Sequence, residues 1–160
     1  MIQIFDCYIP RCDQLSSFVC EIRAEDQYED TPHDWPACAD QEMADKGFLA
    51  VRDSCYLPVE DTMTLQEAEA HCTGQGDSVH LLSVMDLVEN DVAIALSNEH
   101  GTDRIWLGLQ KSEVILKVEG KYSNKQFQST WSWSDGWPVQ YTNWKNADDP
   151  DETCAFLNHK

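Results

Sequence analysis

The segment from Ile105 to Cys154 constrains the fold more than any other part of the chain. It carries Trp106-Leu107-Gly108-Leu109, Trp131-Ser132-Trp133-Ser134-Asp135-Gly136, Tyr141-Thr142-Asn143-Trp144 and Asp149-Pro150-Asp151-Glu152-Thr153-Cys154. Aromatic residues beside aliphatic ones, punctuated by turn formers and closed by carboxylates around a proline, read as a packed β core carrying a polar loop. Trp106, Trp133 and Trp144, as tryptophans of strand-like segments, are expected in the core rather than as exposed stacking platforms. Trp137, between Gly136 and Pro138, and Trp35 are expected at the surface.

Upstream, the pattern changes period. Thr64 followed by Glu67 is a capping box, and Leu65, Ala68 and Cys72 share a face at helical spacing, with Gly74 and Gly76 as stops. A second helix is predicted from Met85 to Ser97, with Val88, Val92, Ala95 and Leu96 as its apolar stripe. Residues 2 to 22 read as short strand pieces broken by Pro10, and Phe48 to Leu57 as a hairpin that Cys38 and Cys55 could close. Between Glu21 and Asp45 stand nine acidic residues and one basic one, Arg23, with Pro32 and Pro36 among them, which reads as a solvated connector. The order β, α, α, then strands and turns is an α+β arrangement.

Charge and cysteines narrow the function. The net charge of -18, from 29 acidic and 11 basic residues, repels phosphate and makes nucleic acid an unfavourable partner, whereas cations or basic proteins suit it. No run approaches the ~18 apolar residues of a membrane span, so no membrane insertion of this segment is expected. Seven cysteines without a CxxC pair or zinc-finger spacing favour disulfides and an oxidising, extracellular compartment, secreted or the ectodomain of a membrane protein. The first residues lack the basic start and apolar stretch of a signal peptide, so the chain is expected to be a fragment with its export signal elsewhere. His71 and Cys72, neighbours on a helix, point about 100° apart and cannot pair as base and thiol. His80, His100 and His159 show no ligand spacing, and no paired-acid, phosphate-loop or serine-triad signature stands out, so an enzyme is not expected.

Taken together, these motifs resemble the C-type lectin-like domain. The resemblance covers roughly Cys38 to Lys160 and rests on Ser54-Cys55-Tyr56, the helix carrying Glu67-Ala68-Glu69 and Cys72, His80-Leu81-Leu82-Ser83, Trp106 to Leu109, Trp133 to Gly136 and Asn143-Trp144. It implies a disulfide-stabilised α+β fold, two helices packed on antiparallel sheets, with a long irregular loop able to bind calcium and sugar. The chain stops before the Trp-Asn-Asp segment and final two cysteines of that family. Cys12 to Cys20, followed by Glu21-Ile22, looks like that missing end.

The resemblance therefore implies residues 1–24 as terminal strands of a preceding domain, 25–36 as an acidic linker, and 37–160 as a domain truncated at its C-terminal end, the whole a piece of a tandem array. Alternatively, residues 1–24 complete the truncated domain in permuted order. In that arrangement the family's bonds become Cys20 with Cys72, Cys12 with Cys154 and Cys38 with Cys55, leaving Cys7 odd.

The same resemblance singles out Asp149, Asp151 and Glu152 as candidate calcium and carbohydrate ligands around Pro150, whose family counterpart is usually cis. Calcium takes six to eight oxygen ligands. Asp-Pro-Asp is neither the mannose-type Glu-Pro-Asn nor the galactose-type Gln-Pro-Asp, and Cys7-Tyr8-Ile9, opposite the missing segment, offers no amide or carboxylate. The alternative for these residues is an acidic, solvated turn before a buried cysteine. The function expected is an extracellular recognition module whose partner is a glycan bound through calcium, or else a protein bound without it.

Overall fold

The computed structural model describes residues 12–23, 41–52, 54–116, 126–141 and 153–158. Along the chain these form β1 (Ser16–Arg23), α1 (Gln41–Asp45), β2 (Leu49–Val51), β3 (Ser54–Met63), α2 (Leu65–Thr73), β4 (Val79–Leu81), α3 (Leu87–Glu99), β5 (Arg104–Leu116), β6 (Gln126–Trp133) and β7 (Cys154–Asn158). The architecture is α+β, with the helices set against one mixed sheet rather than several antiparallel ones. Its path runs β2-β3-β1-β5-β6, with β4 pairing β1 and β7 pairing β5.

β1 occupies the centre. Along one edge it runs antiparallel to β3, from Ser16 opposite Met63 to Arg23 opposite Ser54. Its other edge is divided: Ser17 and Phe18 pair parallel with Ile105 and Trp106 of β5, and Cys20 to Ile22 pair antiparallel with β4. Seven of its eight residues are buried, so the strand is covered on both faces. The near-continuous apolar run Phe18, Val19, Cys20 and Ile22 is the composition such a position requires.

Side chains on the two faces of this sheet enter different core clusters. Val19 packs with Tyr56, Leu82, Leu96, Leu107 and Trp133. Phe18 and Cys20 pack with Leu65, Cys72, Leu81, Trp106 and Phe156, toward α2. Trp106 and Trp133 are therefore core residues, and the Trp106 indole donates to the Met63 carbonyl at 2.9 Å. Trp144 lies outside the described residues, as does Trp35.

Two disulfides join β1 and the turn before it to the rest of the fold. Cys20 bonds Cys72 of α2 across a sequence separation of 52, and Cys12 bonds Cys154 of β7 across 142. Cys55 is disulfide-bonded as well. Cys38, expected as its partner, lies outside the described residues, as does Cys7.

α2 begins as its capping box requires. The Glu67 amide donates to the Thr64 hydroxyl, and the Glu67 carboxylate accepts from the Thr64 amide at 3.0 Å. Leu65, Ala68 and Cys72 are its buried residues. Glu69 then fastens this helix to β4, accepting from the Leu81 amide at 2.9 Å and pairing with His80 at 2.8 Å.

Three expectations are corrected. The second long helix starts at Leu87, capped by Asp86, and buries Asn90, Ala93, Leu96 and Ser97. Of the expected stripe, Val88 and Ala95 are exposed, because at 100° per residue they fall on the side opposite Ala93 and Ser97. The acidic run is not all connector either, since Glu21 is 3% exposed within β1 and residues 41–45 form α1. Trp137 is half-buried, packed against the core beside Arg23.

Candidate functional site

Asp149, Asp151 and Glu152, the carboxylates expected to hold calcium and sugar, lie outside the described residues. The chain approaches that stretch from the segment 134–141 that follows β6 and leaves it into β7, so the flanking geometry is defined. On the exit side, the Thr153 carbonyl accepts from the Lys111 amide at 2.9 Å, and Cys154 is bonded to Cys12. As donors the three side chains are hard carboxylate oxygens, the kind of ligand calcium takes.

On the approach side the structure brings together residues that sequence reasoning did not group. Arg23, the last residue of β1, points at the start of α3. Its Nη1 donates to Glu89 Oε1 at 2.6 Å and its Nη2 to Glu89 Oε2 at 3.1 Å, a two-pronged pairing that suits a planar guanidinium. Nη2 also donates to the Ser83 carbonyl at 3.2 Å. Glu21, two residues earlier and hence on the same face of the strand, accepts from Nη2 through Oε2 at 3.4 Å and places Oε1 at 3.1 Å from the same nitrogen as an ion pair.

Ser83 connects this ion cluster to the turn after β6. Its amide donates to Glu21 Oε2 at 3.1 Å, and its hydroxyl lies 2.6 Å from Asp135 Oδ2 and 3.2 Å from Glu21 Oε2. One hydroxyl hydrogen serves one acceptor at a time, and the shorter contact assigns it to Asp135. Asp135 in turn accepts from the Trp137 amide at 3.0 Å, fixing the turn at Gly136, and the Arg23 guanidinium lies 6.0 Å from the Trp137 ring centre. Glu89 closes the arrangement by accepting from the Met85 amide at 2.6 Å.

The electrostatics follow from burial. Desolvation pushes Glu21 up to about 7, against the lowering effects of Arg23 and the Ser83 amide. For Arg23, burial alone would favour the neutral form, but the hydrogen bond to Glu89 and the charges of Glu21 and Glu89 outweigh it and hold the guanidinium charged. Burial, with Glu21 as a second cause, raises the Tyr56 phenol above its usual range. Two clefts flank Arg23 and Trp137. One, of about 420 Å³, is bordered by Tyr56, Glu89, Val92 and Pro138; the other, of about 220 Å³, by Asp77, His80 and Asp135.

This cluster was hidden because its members come from β1, the turn after β4, α3 and the turn after β6. Among its charged groups only Glu21 and Arg23 are close in sequence, and the surrounding acidic residues disguise them. Among the described residues, no group of three or more His, Cys, Asp and Glu side chains is arranged to hold a metal ion, and no helix is long and apolar enough to cross a membrane.

Comparison with known proteins agrees with this architecture. The sequence profile of the lectin C-type domain matches residues 61–160. A snaclec from Protobothrops flavoviridis, one chain of a coagulation factor IX-binding protein, is 33% identical over 114 residues, 69% of this chain and 78% of that protein. Snaclec 3 from Sistrurus catenatus edwardsii is 32% identical over 121 residues, covering 71% and 72% of the two chains. The alpha chain of snaclec stejaggregin-A from Trimeresurus stejnegeri is 29% identical over 112 residues, covering 70% and 65%. No solved structure matches the chain. With the lectin profile spanning more than half of its residues, over a disulfide-tied α+β scaffold, this chain belongs to the C-type lectin domain family.

Proposed function

We propose that this chain is an extracellular recognition module that binds a protein partner, and that it is not an enzyme. The observation that carries this reading is its kinship, over about two thirds of its length, with a protein named for binding coagulation factor IX. Charge supports it, since a net -18 favours a partner that presents a basic face. The disulfide bonds support an oxidising, extracellular setting. The central place of β1, paired with β3, β4 and β5, supports residues 1–24 as the permuted complement of the domain in 37–160, with 25–36 as linker.

A second reading, calcium-dependent sugar binding, is favoured by one sequence observation. Asp149, Asp151 and Glu152 crowd around Pro150 in the stretch that family members use for calcium. Calcium, if bound, would be held by those three carboxylates and would present its remaining coordination positions to sugar hydroxyls. Against this, Asp149 is one methylene shorter than the glutamate or glutamine of the sugar-binding motifs, and a single residue separates Pro150 from Glu152.

Retention on mannose and galactose resins, with calcium and then with EDTA, separates the two readings. The protein reading expects no EDTA-released retention. It also expects a discrete protein captured from extracellular fluid on the immobilised chain, whose binding survives EDTA and free monosaccharide. Retention that EDTA releases and Asp149→Ala abolishes would establish the sugar reading instead.

A further inference from the structure

The buried ions between β1 and α3 are out of balance: one guanidinium, Arg23, faces the carboxylates of Glu21, Glu89 and Asp135. Two of these are held by regular structure, Glu21 in the central strand and Glu89 in the first turn of α3. Asp135 alone sits on a turn, attached through the Ser83 hydroxyl and its own bond to the Trp137 amide. We propose that this cluster is a proton-operated latch, in which protonation of Glu21 holds the 135–141 segment against the core and its ionisation lets that segment loosen.

The direction follows from the surroundings of Glu21. Toward it face Arg23 on its own strand, Tyr56 and Ser54 on β3, Ser83 in the turn after β4, Glu89 on α3, and, across the smaller cleft, Asp77, His80 and Asp135. His80 is engaged by Glu69 of α2, which leaves Arg23 as the cation on Glu21 among these groups. With Glu21 protonated, Arg23 serves Glu89 and Asp135. With Glu21 ionised, three negative charges share one positive charge in a poorly solvated site, and the carboxylate on the least anchored backbone is the one to move toward water. Burial places this proton exchange near neutrality, with Glu21 at about 7. Clefts on both sides of Arg23 and Trp137 give the turn room to move.

The test compares wild type with Glu21→Gln, a neutral isostere, by amide hydrogen exchange at pH 5.5 and 8.5 after correction for intrinsic rates. Protection of residues 135–141 should fall about tenfold more than that of α2 in wild type, a differential of roughly one decade in the opening equilibrium, and should be level in Glu21→Gln. Should that variant fail to fold, a carbon-13 titration of the Glu21 carboxyl in wild type decides, with Asp135→Asn as the companion that reduces the exchange difference. A Glu21 midpoint below 5.5, or a pH-dependent loosening of 135–141 that persists in Glu21→Gln, would overturn the proposal.

Discussion

At the scale of single residues, the tightest constraint is Gly108. Its amide donates to the Leu82 carbonyl and its carbonyl accepts from the Ser134 amide, so the backbone is gripped from both sides. A Cβ there would lie 2.5 Å from Ser134 Oγ and 2.8 Å from the Leu81 carbonyl oxygen, and the latter is backbone that cannot swing away. Gly108→Ala should destabilise the fold by about 1–3 kcal/mol, as overpacking does. Urea unfolding checks it, and an unchanged midpoint would mean that β4 and β5 can separate freely. The glycine was visible within Trp106-Leu107-Gly108-Leu109, but its reason was not, because Leu81 and Ser134 are distant in sequence. Glu21 was obscured in the same way: counted among solvated acids, it is buried because β1 is central and because Arg23, Ser83 and Ser54 surround it.

At the scale of elements, local signals located α2 and tertiary packing decided α3. The Thr64 and Glu67 box marks the start of α2 directly, since both halves of that exchange are encoded within four residues. Thr64→Ala removes the hydroxyl that accepts from the Glu67 amide and should cost about 0.5–2 kcal/mol, measured by thermal or denaturant unfolding. Hydrogen bonds from Thr64 hold the Glu67 carboxyl below its usual range, so the helix start is favoured at higher pH and loses that support as the carboxyl protonates in acid. The α3 face was misread because its inward side carries the polar Asn90 and Ser97 while Val88 stands in water, so apolar periodicity points the wrong way. The parallel pairing of β1 with β5 had no local signature at all, being a matter of where a distant strand docks.

At the scale of the whole molecule, the buried ions give stability a definite pH dependence. Glu21 has an ordinary value of 4.5 and is raised to about 7 in the folded chain. Between those limits the folded state holds more protons than the unfolded one, so its contribution to stability is greatest below about pH 4.5, declines through the window and levels off above about 7. Chemical unfolding of wild type and Glu21→Gln across pH 5 to 8 should show this decline in wild type only. Equal slopes would place Glu21 among ordinary carboxylates.

The fold as a whole depends on β1 completing the sheet through covalent ties to α2 and β7, while tryptophan-rich strands and a cystine-bearing helix, both legible in the sequence, build the remainder. The candidate ligand loop was legible only as a motif, since the number and direction of its donors depend on chain geometry that three carboxylates around a proline do not encode. Mapping the bridges in the non-reduced chain by proteolysis and mass spectrometry tests the central claim most directly. Linked peptides carrying Cys20 with Cys72 and Cys12 with Cys154 are the predicted result, and Cys72 and Cys154 recovered as free thiols would contradict it.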